Sequence, residues 1–143
     1  MSKIIRVTDS EKYIGRLSFG ADLLEEMTGI CMELGVRFGR IEAIGAVSRA
    51  RLAYYDQAEQ RYDHFDINEP LEIASLMGNV SLKDGRPMVH AHVTLSNESG
   101  KTYGGHLAPG TIIFAAEILI QAFNEEPLER GKDEETGLPL WDM

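Results

Sequence analysis

Three of the four histidines in this chain lie within 17 residues, at His90, His92 and His106. The first two belong to an alternating apolar segment that is typical of a β-strand. Successive side chains of a strand point to opposite faces, so His90 and His92 are predicted to share one face. Two imidazoles held side by side in this way could fill two of the four coordination positions of a zinc ion.

The turn that follows this strand decides whether His106 joins the other two histidines. The segment Asn97–Lys101 is typical of a three-residue hairpin loop, with Gly100 at the position that needs a positive φ. If Asn97 pairs with Lys101, His92 lies opposite His106 and His90 lies diagonally across from it. Opposite Cβ atoms are then ~5 Å apart and diagonal ones ~7 Å apart. A slip of one residue would send His106 to the other face of the sheet.

Three imidazoles at this spacing can share one divalent metal ion, and we predict His90, His92 and His106 as its ligands. The donor set favours Zn²⁺, or another first-row metal that accepts imidazole, over Ca²⁺ and Mg²⁺, which prefer oxygen. A single histidine on a strand is more often an ordinary core or surface residue. We interpret His64, which is distant in sequence, as a surface residue.

A candidate acidic residue lies in the segment 112–120, which is apolar on both faces and is typical of a strand buried on both sides. Glu117 lies in its middle, where a carboxylate would need a partner. Two interpretations remain open. Glu117 either pairs with a buried arginine or acts at the metal, as a partner of a ligand, a fourth ligand or a general base. Glu72 and Tyr103 are further acid–base candidates that no spacing fixes.

One segment is predicted to form a long helix. Asp22 is a plausible N-cap and Gly35 supplies the left-handed C-terminal stop. The apolar stripe between them has helical spacing and comprises Leu23, Met27, Ile30 and Leu34. Cys31 widens this stripe, so we interpret it as a core residue.

The remaining segments predict strands joined by short turns, which implies antiparallel pairing. The predicted strands are residues 4–8, 13–19, 37–55, 61–65, 71–82, 87–97, 101–107 and 112–123, with a break near 46–48 in the longest. We therefore predict an α+β fold, in which an antiparallel sheet of about seven to eight strands packs with one main helix. Residues 4–140 are predicted to form a single domain, and the acidic segment 124–143 belongs to it.

The composition limits the partners of the chain. Its 143 residues carry 23 acidic and 14 basic side chains, for a net charge of −9, which opposes direct binding to DNA. No stretch approaches the ~20 apolar residues of a membrane span, and the N-terminus lacks the apolar centre of a signal peptide. A single cysteine agrees with a reducing compartment. These features favour a cytoplasmic protein without a membrane partner.

Five segments of the chain, in the same order, match a pattern known from one family. They are residues 44–56, 71–81, 84–92, 103–107 and 134–138. Together they resemble the PPC domain (plants and prokaryotes conserved), and the resemblance covers roughly residues 4–140. It implies a free-standing prokaryotic member with a sheet flanked by a helix, assembled as a homotrimer, and a metal at His90, His92 and His106. Plant members carry AT-hooks, whereas the nearest match here, residues 84–87, begins with an acid and lies in a predicted turn.

Three functions remain open at this point. The favoured hypothesis is a homotrimeric metal-binding protein, with an unidentified small molecule or protein as its partner. The second is a zinc-dependent hydrolase or lyase, since three histidines with an open fourth position can activate water. The third is a DNA-associated regulatory protein of the PPC family, which the charge and the missing hook oppose.

Overall fold

A computed structural model describes residues 2–143 and contains one α-helix among nine β-strands within that range. In chain order the elements are β1 (Asp9–Arg16), α1 (Leu23–Glu33), β2 (Gly39–Asp56), β3 (Arg61–Ile67), β4 (Leu71–Lys83), β5 (Arg86–Ser96), β6 (Thr102–Leu107), β7 (Ile112–Phe123), β8 (Arg130–Lys132) and β9 (Pro139–Trp141). The strand pairings are antiparallel. The predicted α+β fold, an antiparallel sheet with one main helix, is confirmed.

The sheet contains seven strands, with the order β1-β7-β2-β4-β5-β6, and β3 pairs with β2 at the side. The long strand β2 has two halves with different neighbours. Its first half pairs with β4 and β7, while its second half pairs with β3 and, through Leu52 and Ala53, with β6. Strands β2, β4, β5 and β6 therefore close into a ring of pairings.

The predicted break in β2 is a change of register within one continuous strand. The pairing with β7 shifts between Ala46 and Arg49, and the pairing with β4 shifts between Ala43 and Gly45. Gly45 has a φ of 143°, and a Cβ at this position would collide with the backbone carbonyl of Ala115. These irregularities bend β2 and allow its second half to leave the first set of partners.

Helix α1 covers one face of the sheet. Asp22 caps it by accepting hydrogen bonds from the backbone amides of Leu24 and Glu25, at 3.1 and 3.0 Å, and Gly35 follows its end with a φ of 68°. Its buried side chains, which include the predicted core residue Cys31, join the single hydrophobic core. Burial raises the pKa of the Cys31 thiol to about 11. On β5 the residues facing this core are Val89, Ala91, Val93 and Leu95. His90 and His92 alternate with them and so lie on the opposite face, which we call the outer face.

At the two ends of the chain, one predicted strand is absent and two short strands were not predicted. Residues 4–8 form no strand, because Ile4 is exposed and the backbone amide of Thr8 donates to the Glu125 carboxylate instead of to a neighbouring strand. Strands β8 and β9 were not predicted, since three residues each are too short to show an alternating pattern. Within residues 2–143, no helix has both the length and the apolar character that crossing a bilayer requires.

Candidate metal centre

The β5–β6 hairpin has the predicted register. The amide of Asn97 donates to the carbonyl of Lys101 at 3.0 Å, and Gly100 has a φ of 78°. Consequently His92 lies directly opposite His106. His90 lies on the same face of β5, two residues before His92, as the alternation of strand side chains requires. The loop therefore fixes which face His106 takes.

The three imidazoles of His90, His92 and His106, which we call the histidine trio, are close together. The ring centroids lie 5.1 Å apart for His90–His92, 5.1 Å for His90–His106 and 5.5 Å for His92–His106. Each residue offers a ring nitrogen within 4.8 Å of the other two, and the Nε2 atoms of His90 and His92 are 3.2 Å apart. Ligands of tetrahedral zinc are about 3.4 Å apart, because each Zn–N bond is ~2.1 Å long. The separations between the ring nitrogens of the trio, 3.2 Å for one pair and at most 4.8 Å for the others, are compatible with that value.

The surroundings keep two members of the trio neutral. Burial, assisted by the nearby charges of His106, Arg130 and His92, lowers the pKa of His90 to about 4. Burial and the charges of His92, His64 and Arg130 lower the pKa of His106 to about 4 as well. Neutral imidazole is the form that binds metals. The Nδ1 atom of His106 is buried and has no hydrogen-bond partner among the described residues, so this polar atom fits an ion that the trio would hold.

A tyrosine forms one wall of the centre. The ring of Tyr62, on β3, lies 4.7 Å from the ring of His106, and Tyr55 follows at 5.0 Å from Tyr62. Burial, with a contribution from Tyr55, raises the pKa of the Tyr62 hydroxyl. Tyr62 reaches His106 because β3 and β6 both pair with β2 at Ala53. Tyr62 was not predicted as part of the site, because the pairing of β3 and β6 with β2 joins distant segments and leaves no local signal in the sequence.

An arginine lies at the edge of the centre. Arg130, on β8, donates from Nε to Ser81 Oγ at 2.8 Å, from Nη2 to Asn79 Oδ1 at 2.7 Å and from Nη1 to the carbonyl of Pro139 at 2.9 Å. Its guanidinium carbon lies 5.4 Å from the ring centre of Trp141. Asn79 is paired with His90 across β4 and β5, which brings this arginine to the edge of the trio. Arg130 was not predicted as part of the site either.

Comparison with known proteins gives the chain its family. The sequence model of the Plants and Prokaryotes Conserved (PCC) domain, the family called PPC above, matches residues 6–124. The chain belongs to this family. The resemblance drawn from the sequence is therefore confirmed.

Solved structures of similar proteins agree with this assignment. A metal-containing protein from Archaeoglobus fulgidus shares 40% identity and a TM-score of 0.94, over 99% of this chain and 100% of that one. A PPC protein from Pyrococcus horikoshii shares 35% identity and a TM-score of 0.92, over 99% of this chain and 98% of that one.

A longer relative contains a similar segment. The bifunctional protein GlmU of Synechococcus sp. (strain JA-2-3B'a(2-13)) is 36% identical over 124 residues, which are 85% of this chain. The chain spans only 18% of the length of that relative. The similarity therefore concerns one segment of a much larger protein.

The acid–base candidates lie away from the trio of this PPC-domain protein. Glu117 is exposed, so the prediction that it is buried is wrong for the single chain. It lies on β7, three strands from β5, and neighbouring strands are ~4.8 Å apart, so it is ~14 Å from β5 measured along the sheet. Glu72 is exposed near the far end of β4. Tyr103 points to the face of β6 opposite His106, where its hydroxyl is 3.5 Å from Glu69 Oε1.

The fourth histidine is exposed, as predicted, and lies two strands from His106. His64 and His106 both pair with Ala53, on opposite sides of β2. Two strand spacings amount to about 10 Å, which is too far for His64 to share an ion with the trio. His64 is therefore a suitable control residue for experiments on the site.

Proposed function

We propose that this PPC-domain protein binds one divalent metal ion per chain through His90, His92 and His106. The observation that carries the proposal is the convergence of three ring nitrogens within 4.8 Å on the outer face. Support comes from the buried, unpartnered Nδ1 of His106, which lacks any other role among the described residues. The 40% identical relative from Archaeoglobus fulgidus, described as a metal-containing protein, agrees with this proposal.

Zinc is the ion that suits this donor set best. Three neutral imidazoles with no carboxylate among them form a nitrogen-only site, which favours Zn²⁺ over the oxygen-preferring Ca²⁺ and Mg²⁺. Three protein ligands leave a fourth position for water or another ligand. A zinc ion held by the three histidines would act as a Lewis acid and lower the pKa of a water in the fourth position.

We also propose that the chain assembles as a homotrimer in which the outer face is covered by neighbouring copies. Large apolar side chains are exposed on the part of this face formed by β1, β7, β2 and β4. They are Ile14 (86% exposed), Ile44 (59%), Met77 (56%) and Leu119 (38%). These residues line one shared groove together with Glu42 and Glu117. Exposed apolar patches of this kind are typical of protein interfaces. Met77 pairs with His92, so the proposed interface extends to the edge of the metal centre.

An enzymatic role remains the second candidate, and one observation favours it. The trio is bordered by the Tyr62 ring and by Arg130, and the tyrosine hydroxyl and the guanidinium are groups that can donate hydrogen bonds to a bound molecule. Within a single chain, Glu117, Glu72 and Tyr103 lie too far from the trio, or on the wrong face, to act at the ion. A zinc-dependent hydrolase or lyase would therefore depend on Tyr62 and Arg130.

The experiment that tests metal binding is elemental analysis of the untagged protein. We expect about one equivalent of zinc per chain after purification without added metal. Removal with a chelator and dialysis, followed by incubation with a mixture of zinc, calcium and magnesium, should restore zinc alone. Less than about one tenth of an equivalent of every transition metal in both preparations would contradict the proposal.

A further inference from the structure

Arg130 is a buried cation with no acidic partner. It is 9% exposed. The ion pairs found within residues 2–143 join Lys12 to Asp9, Arg40 to Glu42 and Arg61 to Asp63, and none of them involves Arg130. Buried charges in proteins are normally paired with an opposite charge, because removing an ion from water is costly. Its three acceptors are the neutral oxygens of Ser81, Asn79 and Pro139, which satisfy hydrogen bonds but leave the charge uncompensated.

The guanidinium has donors left for a further partner. An arginine carries five N–H groups, and the three bonds described above use one on each nitrogen. One N–H therefore remains on each terminal nitrogen. Two N–H groups on neighbouring nitrogens are the arrangement that binds a carboxylate with both of its oxygens.

The fold holds Arg130 beside the trio. Strand β8 brings it over β4, where Asn79 pairs with His90 on β5. With a divalent ion bound, the centre would contain two adjacent positive groups, three neutral imidazoles and no carboxylate.

We infer that the metal centre binds a small carboxylate, which occupies the fourth coordination position and is held by Arg130. The inference rests on the proposed metal site and names the chemical class of its ligand. Tyr62 and Trp141 border this space with aromatic rings, one against His106 and one against Arg130. They would contact the apolar part of the ligand while the carboxylate lies between the ion and the guanidinium.

The test uses the protein loaded with cobalt(II), whose visible absorption reports on the fourth ligand, and acetate as the probe. We expect acetate to change the spectrum of the wild type saturably, and acetamide, which has the same shape and no charge, to bind at least tenfold more weakly. Arg130→Gln should weaken acetate binding at least tenfold, because a charge-assisted hydrogen bond is lost. Lys132→Gln is the matched control. It removes the same charge from an exposed residue of the same strand, and acetate affinity should stay within twofold.

A second variant keeps the inference testable if Arg130→Gln fails to fold. Asn79→Asp places a carboxylate 2.7 Å from Nη2 of Arg130 and so supplies the missing counter-charge from within the protein. This variant should retain cobalt and lose acetate affinity at least tenfold. Unchanged acetate affinity in Asn79→Asp or in a folded Arg130→Gln, or equal binding of acetamide by the wild type, would overturn the inference while leaving the metal site intact. A wild type that takes up no cobalt would instead overturn the metal site, and the carboxylate site with it.

Discussion

Replacing His92 with alanine separates metal binding from folding, because this side chain is exposed and contributes little to the core. Exposed substitutions of this kind usually change stability by less than about 0.5 kcal/mol. The metal-free variant should therefore unfold within a few degrees of the metal-free wild type. The substitution should therefore weaken metal binding alone. His92 supplies one of the three proposed ligands and lies opposite a second, His106.

The size of that loss follows from the coordination. Changing a residue that merely supports a ligand costs 10–100-fold in metal affinity, so removing one of three ligands should cost more than about 100-fold. With free zinc at about 100 times the wild-type Kd, binding stabilises the wild type by about 2.7 kcal/mol. For a domain of this size, this raises Tm by on the order of 10 °C. At the same zinc concentration His92→Ala should gain at most about 0.4 kcal/mol, which is a shift of no more than roughly 1–2 °C.

Thermal unfolding monitored by circular dichroism, with and without zinc, measures both the Tm of the metal-free protein and the rise in Tm that zinc causes. His64→Ala is the control, because it removes an exposed histidine from the same face two strands from His106. It should keep the full zinc-induced shift. An equal zinc-induced shift in His92→Ala and the wild type would refute the assignment of His92, and with it the hairpin site.

Three further predictions concern the fold and the partners. Gly45→Ala should lower the free energy of unfolding by about 3 kcal/mol or more, because the φ of 143° is strained for other residues and the added Cβ would meet the Ala115 carbonyl. Gly15→Ala is the control, since a Cβ there would have no atom within 4 Å, and it should change the free energy of unfolding little. Urea unfolding measures both variants. Light scattering should give a mass of about 48 kDa, three times that of the 15.9 kDa chain. Ile44→Glu, which places a charge in the proposed interface, should lower the measured mass toward that of a single chain. A wild type that is monomeric at micromolar concentration would contradict the trimer. In a gel shift at low salt, duplex DNA should stay unbound at micromolar protein, because the chain carries 23 acidic and only 14 basic side chains. Salt-sensitive binding at submicromolar protein would favour the regulatory role instead.

The position of the trio was predictable from the sequence because its determinants are local. Alternation along one strand places His90 beside His92, and a short loop ending in Gly100 sets the register for His106. Both rules operate within 17 residues, so no distant contact is needed. The same reasoning identified α1, where Asp22 and Gly35 mark the two ends.

The walls of the site were not predictable, because they depend on pairings between distant segments. Tyr62 reaches His106 only because the second half of β2 leaves its first partners and pairs with both β3 and β6. Arg130 reaches the edge of the trio from a three-residue strand, 49 residues beyond Ser81, that gives no periodic signal. Patterns that are read within one segment cannot reveal such contacts.

Glu117 shows a different limit of sequence reasoning. An apolar pattern on both faces of a strand indicates burial on both sides but does not say what covers the second face. In the single chain, the hydrophobic core covers one face of β7, while Leu119 and Glu117 on the other face remain exposed. If the proposed trimer covers the second face, the pattern describes the assembly and not the isolated subunit.

The central claim, a metal ion held by the trio, is tested most directly by anomalous diffraction at the zinc absorption edge from crystals of untagged protein. We predict one strong anomalous peak per chain at ~2.1 Å from a ring nitrogen of each of His90, His92 and His106. The fourth position should hold water or a small carboxylate. Density that shows the three imidazoles hydrogen-bonded to one another or to water, with no anomalous peak between them in zinc-soaked crystals, would contradict the account.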